Sequence, residues 1–523
     1  MSDQWGQSYP PNNQQYHMQQ PYYAPQQPPP PPPPPVDEKG SRFKPKLKLR
    51  DPIFFVFFLL TFFAFIGLSG YALYEWNQAG SIQSGFGNTT ASSNVTFTKE
   101  TGYLLLVDAA IGLVFAALYL LALRIFTKVI LEVTLVLSII TTWALAIYQF
   151  TQHYWSGAIV LLIIGILQSL QTAFKNLTMD IKQVVFYFGM RKRIPLASLL
   201  LKIVIDIAKH YPSVYVVSFI GLIIQTAWSI LYAFAVAAVY VVWTPGSQVC
   251  GSGTGGSCSS GKVAGLVFFL TFAYLWVSQV FGNIVLVTLA GGPYGGWYYF
   301  GPYNQNGSGM PKHPTPSAFM RASTTSLGSI AFGSLIVTIL EIIKMIFRAL
   351  QNNADAAGEI GQILACCAVC VLNVIQWMIE LFNKYAYISI ALYGKSYLQS
   401  AKSTWHLFKD RGIDALVNDS LVSIGLTYGS YFVGVLCGLF TYVYLKTATV
   451  EWNSEGQYTA ALLLYAFLIG FTCSMTLLCG IDAGVSTLFV GMAEDPHVLA
   501  QRAPPLFQEI RNVYPHVVEG VNV

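Results

Sequence analysis

The sequence predicts an all-α polytopic membrane protein of about ten transmembrane helices. Both termini are expected to be cytoplasmic, with amphipathic interfacial helices on the inner side. Three observations carry this. The 523 residues are 54% hydrophobic and only 10% charged, where soluble domains carry about 25% charged residues. Apolar runs of about 20 residues, the length that crosses a bilayer core, recur along the chain. Basic residues gather in alternate loops, as the positive-inside rule requires of cytoplasmic ones. The net charge of +5 is small and unevenly spread, and gives no reason to expect nucleic acid as a partner.

Residues 1–50 form a Gln-, Tyr- and Pro-rich cytoplasmic tail with eight consecutive prolines, Pro28 to Pro35. Such a composition cannot bury a core and favours polyproline II. The run is a solvated tail or a ligand for an SH3-type or profilin-type partner. "SRFKPKLKLR", residues 41–50, places five basic residues just before the first span and holds the N-terminus inside.

The transmembrane domain covers 51–480. Its spans are expected near 52–74, 102–123, 127–149, 155–174, 213–243, 263–289, 327–349, 361–382, 419–445 and 458–479, followed by a cytoplasmic C-terminal tail, 481–523. Arg124, Lys128, the "RKR" at 191–193, Lys202, Lys209, Lys312, Arg321, Lys384, Lys395, Lys402, Lys409 and Arg411 then fall inside. Only Lys99, Lys262 and Lys446 fall in outside loops. Lys344 and Arg348, at the outer end of the seventh span, run against the bias. Glu341, three residues from Lys344, is placed to pair with it. Outside features agree with this topology. Asn88 and Asn94 head glycosylation sequons. Cys250 and Cys258 share an outside loop in which a disulfide persists.

Two inside segments are unusual. "RKRIPLASLLLKIVIDIAKHYP" (191–212) spaces Lys202, Asp206 and Lys209 among Leu and Ile, as an interfacial helix does. "NKYAYISIALYGKSYLQSAK" (383–402) has three lysines, four tyrosines and a glycine. It is too polar for a span and too aromatic for a solvated loop. Tyrosine suits an interface, so the segment is expected to be interfacial or re-entrant, packed beneath the spans.

Catalytic patterns are absent from the sequence. There is no H-E-x-x-H, no G-x-S-x-G and no phosphate-binding loop, so neither an enzyme nor an ATP-driven pump is expected, and no cofactor. The cysteines at 366, 367 and 370 read as small apolar residues, because no histidine or second thiolate pair lies nearby to complete a metal site.

A solute pathway has more support. Trp276, Gln279 and Asn283 share one face of the sixth span. Asn373, Gln376 and Trp377 share one face of the eighth, with Glu380 near its inner edge. Polar groups at membrane depth face a wet cavity or serve as glue between helices. Gly434 and Gly438 form a G-x-x-x-G for close helix packing. "GGPYGGW" (291–297) is expected to break a helix near the inner face, as happens beside transport sites. The aromatic share, 15%, suits a cavity for an organic cation.

Four blocks resemble the choline transporter-like family, in its fungal branch: "RKRIPLASLLLKIVIDIAKHY" (191–211), "STTSLGSIAFGSLIVTILEIIK" (323–344), "NKYAYISIALYGKSYLQSAKSTWHLF" (383–408) and the chain from Gly480 onward. The third is the most specific. Asn383, Tyr385, Tyr387, Gly394, Ser400 and Lys402 match the family signature, with Tyr397 at the place of its usual aromatic. The resemblance spans roughly 50–515. It implies a ten-span plasma-membrane protein, and animal members move choline and related amines without ATP. The expected partners are membrane lipids and a small organic solute. A membrane scaffold working through the polyproline tail is the alternative.

Overall fold

The computed structural model describes residues 48–78, 99–151, 185–245, 259–301, 313–352, 354–411, 414–447 and 459–513. The polyproline run, the sequons at Asn88 and Asn94, Cys250, Cys258 and the fourth expected span lie outside the described residues. Those residues are almost all helical, with no strand among them. In chain order the helices are α1 (Pro52–Gln78), α2 (Lys99–Ile125), α3 (Thr127–Thr151), α4 (Val185–His210), α5 (Ser213–Trp243) and α6 (Ser260–Leu289). A π-helical turn (Ala290–Tyr294) leads into α7 (Gly295–Phe300). Then come α8 (Pro314–Ser323), α9 (Leu327–Asn352), α10 (Ala354–Tyr393), α11 (Tyr397–Arg411), α12 (Asp414–Thr447), α13 (Thr459–Glu494), α14 (Pro496–Arg502) and α15 (Pro504–Val513).

Eight stretches among the described residues are long and apolar enough to cross a membrane. They fall at the first, second and fifth to tenth expected positions, and α3 occupies the third. Helices are the expected solution, because a bilayer core offers the backbone no partner outside its own segment.

Each span shows two faces. On α1, Phe58, Thr61, Phe65, Ser69, Ala72 and Trp76 recur at intervals of three and four and are buried. Ile53, Leu60 and Phe63 point outward, with exposures of 78%, 65% and 64%. The outward face has the apolar character that lipid requires. Association between spans then depends on close packing rather than on the hydrophobic effect. The seam between α12 and α13 illustrates this. A Cβ on Gly434 would meet the backbone oxygen of Phe467 at 2.9 Å. Thr441 on α12 donates to the buried carboxylate of Asp108 on α2 at 2.8 Å.

Helix α4 is amphipathic as expected. Leu196, Ala197, Leu200, Leu201, Val204, Ile207 and Ala208 are buried against the bundle, while Lys202, Lys209 and His210 are exposed. The ion pair expected of Glu341 and Lys344 forms on α9 at 3.0 Å.

Three boundaries differ from the expected ones. The eighth span does not end at 382 but continues as helix to Tyr393. The tenth does not end at 479 but runs to Glu494, and α14 and α15 follow within the expected tail. Both extensions are deeply buried by neighbouring helices, so their polar residues are stabilised by protein partners rather than by water. The third difference is at "GGPYGGW", which does not break its helix. Pro293 lacks an N–H and cannot complete the α pattern. The helix widens into a π turn, and Arg321 Nη2 on α8 donates to the carbonyl of Gly291 at 3.0 Å. The chain from Ser260 to Phe300 thus stays helical over 41 residues.

Candidate functional site

Residues 383–402 lie where α10 ends and α11 begins. Gly394 joins them with φ +59, a left-handed conformation that costs other residues roughly 1–2 kcal/mol. This single turn brings Tyr397, the first residue of α11, back beside Asn383 on α10. The Tyr397 hydroxyl donates to Asn383 Oδ1 at 2.6 Å. Burial pushes the Tyr397 hydroxyl up to about 12, so it keeps its proton and remains a donor at neutral pH.

Helix α9 supplies the surface beneath this turn. Asn383 Nδ2 donates to the carbonyl of Gly333 at 3.1 Å. The Tyr387 hydroxyl lies 3.4 Å from Ser334 Oγ and from the carbonyl of Ile330. Asn283, on α6, donates from Nδ2 to the same Ser334 Oγ at 3.0 Å. The helices approach this closely because Gly333 has no side chain. A Cβ there would sit 2.5 Å from Tyr387 Oη and 2.6 Å from a Tyr397 ring carbon.

The start of α1 closes the cluster from another side. Asp51 has φ 48, a left-handed conformation that Asp tolerates better than most residues. Its Oδ2 accepts the Ser329 hydroxyl at 2.6 Å and the Tyr397 backbone N–H at 2.9 Å. A carboxylate at the first turn of α11 also suits the positive end of that helix. Arg50 Nε donates to the Gly394 carbonyl at 3.1 Å, and its N–H to the Thr325 carbonyl at 3.0 Å. Phe332 stacks on Phe54 at 4.0 Å and tilts against Tyr397 at 4.8 Å.

Helix α13 and the chain beyond it supply charge. Lys384 Nζ meets Asp482 Oδ2 at 2.7 Å, with side-chain exposures of only 16% and 22%. At the end of α10, the Tyr299 hydroxyl donates to Asp495 Oδ2 at 2.9 Å. With that proton committed, the Tyr393 hydroxyl at 2.7 Å is the donor to Tyr299. Tyr385 packs on Phe408 and Phe489, Ser400 is fully buried, and Lys402 is exposed. Residues 383–402 therefore meet Arg50 and Asp51 ahead of α1, together with α7, α9 and α13, and they reach Asp495 through Tyr299.

The expected pathway residues divide. Asn283 joins this cluster. Trp276 is fully buried, its Nε1 donating to Ala331 O at 2.9 Å and its ring held by Phe57, Phe58 and Phe272. It is helix glue in this conformation. Gln376 ties α10 to α9 through Glu341 Oε2 at 2.9 Å and also bonds Glu380 at 2.6 Å. Gln279, Asn373 and Trp377 are exposed on the outside of their helices, so the six residues do not line one enclosed path here. Shared helix face was their signal, and it does not say which neighbour that face meets. Asp51, Asp482 and Asp495 were missed, although a carboxylate next to or inside an apolar run was a visible signal.

A family model described as plasma-membrane choline transporter matches residues 177–497. The chain belongs to the choline transporter-like family. That family consists of transporter-like membrane proteins rather than enzymes. Among its fungal relatives, a protein of Cryptococcus neoformans named Protein PNS1 is 53% identical over 489 residues, covering 93% of this chain and 85% of its own. Proteins of the same name from Mycosarcoma maydis and Gibberella zeae are 41% and 36% identical, covering 92% and 93% of this chain and 87% of their own. With 93% of this chain covered, the likeness to the Cryptococcus protein includes α1 and the Arg50–Asp51 contacts. With its apolar helices, the chain is a multi-pass membrane protein.

Proposed function

We propose that the protein is a plasma-membrane carrier or facilitator of a small organic cation, choline or a related amine. In this reading both termini are cytoplasmic and the chain has ten spans. A binding region between the spans opens alternately to each side, and residues 383–402 form the gate at the cytoplasmic end.

One observation carries the reading. The signature segment is not a loop but a polar junction, in which Asn383, Tyr387 and Tyr397 bond to α9 and meet Asn283 on a pathway helix. Packed polar junctions of this kind have discrete arrangements rather than a continuum, which is what a gate needs. In this reading the junction, as made here, corresponds to the shut state of that end. Opening exchanges these bonds for contacts with water and solute. Asn283 then faces the solute, and Gln279, Asn373 and Trp377 line the path only in conformations that enclose them.

The test is Asn283→Ala. The expected outcome is a loss of labelled choline uptake of about tenfold or more at unchanged surface level, the effect of about 1.4 kcal/mol on the transport barrier. Equal falls in uptake and surface level would mark Asn283 as helix glue.

A further inference from the structure

A cavity of about 410 Å³ lies outside the signature junction, between α2, α4, α5 and α13. That volume falls within the range of ligand sites, about 300–1,000 Å³. Ala117 and Leu121 on α2, Leu477 on α13 and Tyr215 on α5 form its walls, and Arg124 and Lys209 stand among them.

The walls continue onto surface of lipid-facing character. On α2, Val114, Leu118 and Leu121 are more than half exposed, and on α5 Val216 and Ile220 are at least half exposed. The cavity is thus a recess between two outward apolar faces, with its charge at one end. That end is where α2 and α4 finish and α5 begins. Val204 of α4 faces Gly484 and Tyr294 nearby, which places it at the same end as the signature junction.

Charge defines the occupant. Arg124 Nη2 meets Asp206 Oδ1 at 2.6 Å, and both side chains are partly exposed. Lys209, three residues beyond Asp206 on α4, is exposed. His210 turns its Nδ1 to the Asp206 carbonyl at 2.9 Å. The lining helices α5 and α13 add no charged residue to the cavity. Two cations around one carboxylate leave a net positive charge at the mouth of an apolar recess. The apolar walls suit an acyl chain, and the positive mouth suits an anionic head.

We propose that this recess binds an anionic glycerophospholipid, its phosphate between Arg124 and Lys209 and an acyl chain against Leu121 and Leu477. Basic recesses between spans on the cytoplasmic side select such headgroups, and anionic lipids concentrate in that leaflet. The lipid braces α4 against α2 and α5. This inference rests on the cytoplasmic orientation proposed above and not on what the protein transports.

The test uses the full chain in nanodiscs of phosphatidylcholine mixed with phosphatidylinositol, with retained lipid counted by native mass spectrometry. The wild type is expected to retain phosphatidylinositol in excess of its share. Lys209→Gln reduces that excess about fivefold. Ala117→Trp, at an exposed wall position, fills the recess and abolishes it. Retention in proportion to the bulk mixture, or an excess that survives either substitution, overturns the proposal. Lipid is read directly, so the result stands whether or not choline is moved.

Discussion

At the residue scale, Gly333 decides whether the signature junction can form. Its neighbours Tyr387 and Tyr397 occupy the volume a side chain would need. Gly333→Ala is expected to cost about 1–3 kcal/mol, the usual range for overpacking. It would appear as a lower melting temperature of the purified protein and reduced uptake. Unchanged melting would mean that the two tyrosine rings shift freely, and the junction would then be looser than these contacts imply. Asp51 is a second residue with more than one task. It precedes the first span, but its carboxylate serves the N-terminus of α11 and a serine on α9. The sequence showed a helix start there. It could not show that the same side chain holds a helix about 346 residues away in the chain.

At the scale of elements, the apolar runs were legible because a bilayer imposes one length on every span. Their ends were less so. Helix α10 has 40 residues, about 60 Å, twice the bilayer core. Hydropathy stops at 382, because Asn383 and Lys384 follow. Yet those residues continue the helix, since Gly333, Tyr397 and Asp482 satisfy them from other elements. The same holds at Asp482, three residues past the expected end of the last span. A pattern along one segment carries no information on partners supplied by another. The Lys384–Asp482 pair links these two extensions. Lys384→Met is expected to destabilise by about 1.5–3 kcal/mol, the range for a hydrogen bond to a charged group. The exchanged pair, Lys384→Asp with Asp482→Lys, should recover part of the loss in thermal melting. A swap no better than the sum of its single changes would show that the pair does not couple α10 to α13.

At the scale of the whole molecule, residues 383–402 are the place where the start of the first span, the ninth helix, the last span and the chain beyond it converge. The polar content that disqualifies this stretch as a lipid-exposed span is what suits it to a junction between packed helices. Family membership follows from comparison, while the link from that junction to solute movement is ours. The most direct test is labelled choline uptake in cells lacking their own choline carriers, with and without this protein. The expected result is saturable uptake, competed by unlabelled choline and strongly reduced by Asn283→Ala. Absence of uptake, with the protein verified at the surface, would contradict choline as the solute and bring forward a scaffold acting through Pro28 to Pro35.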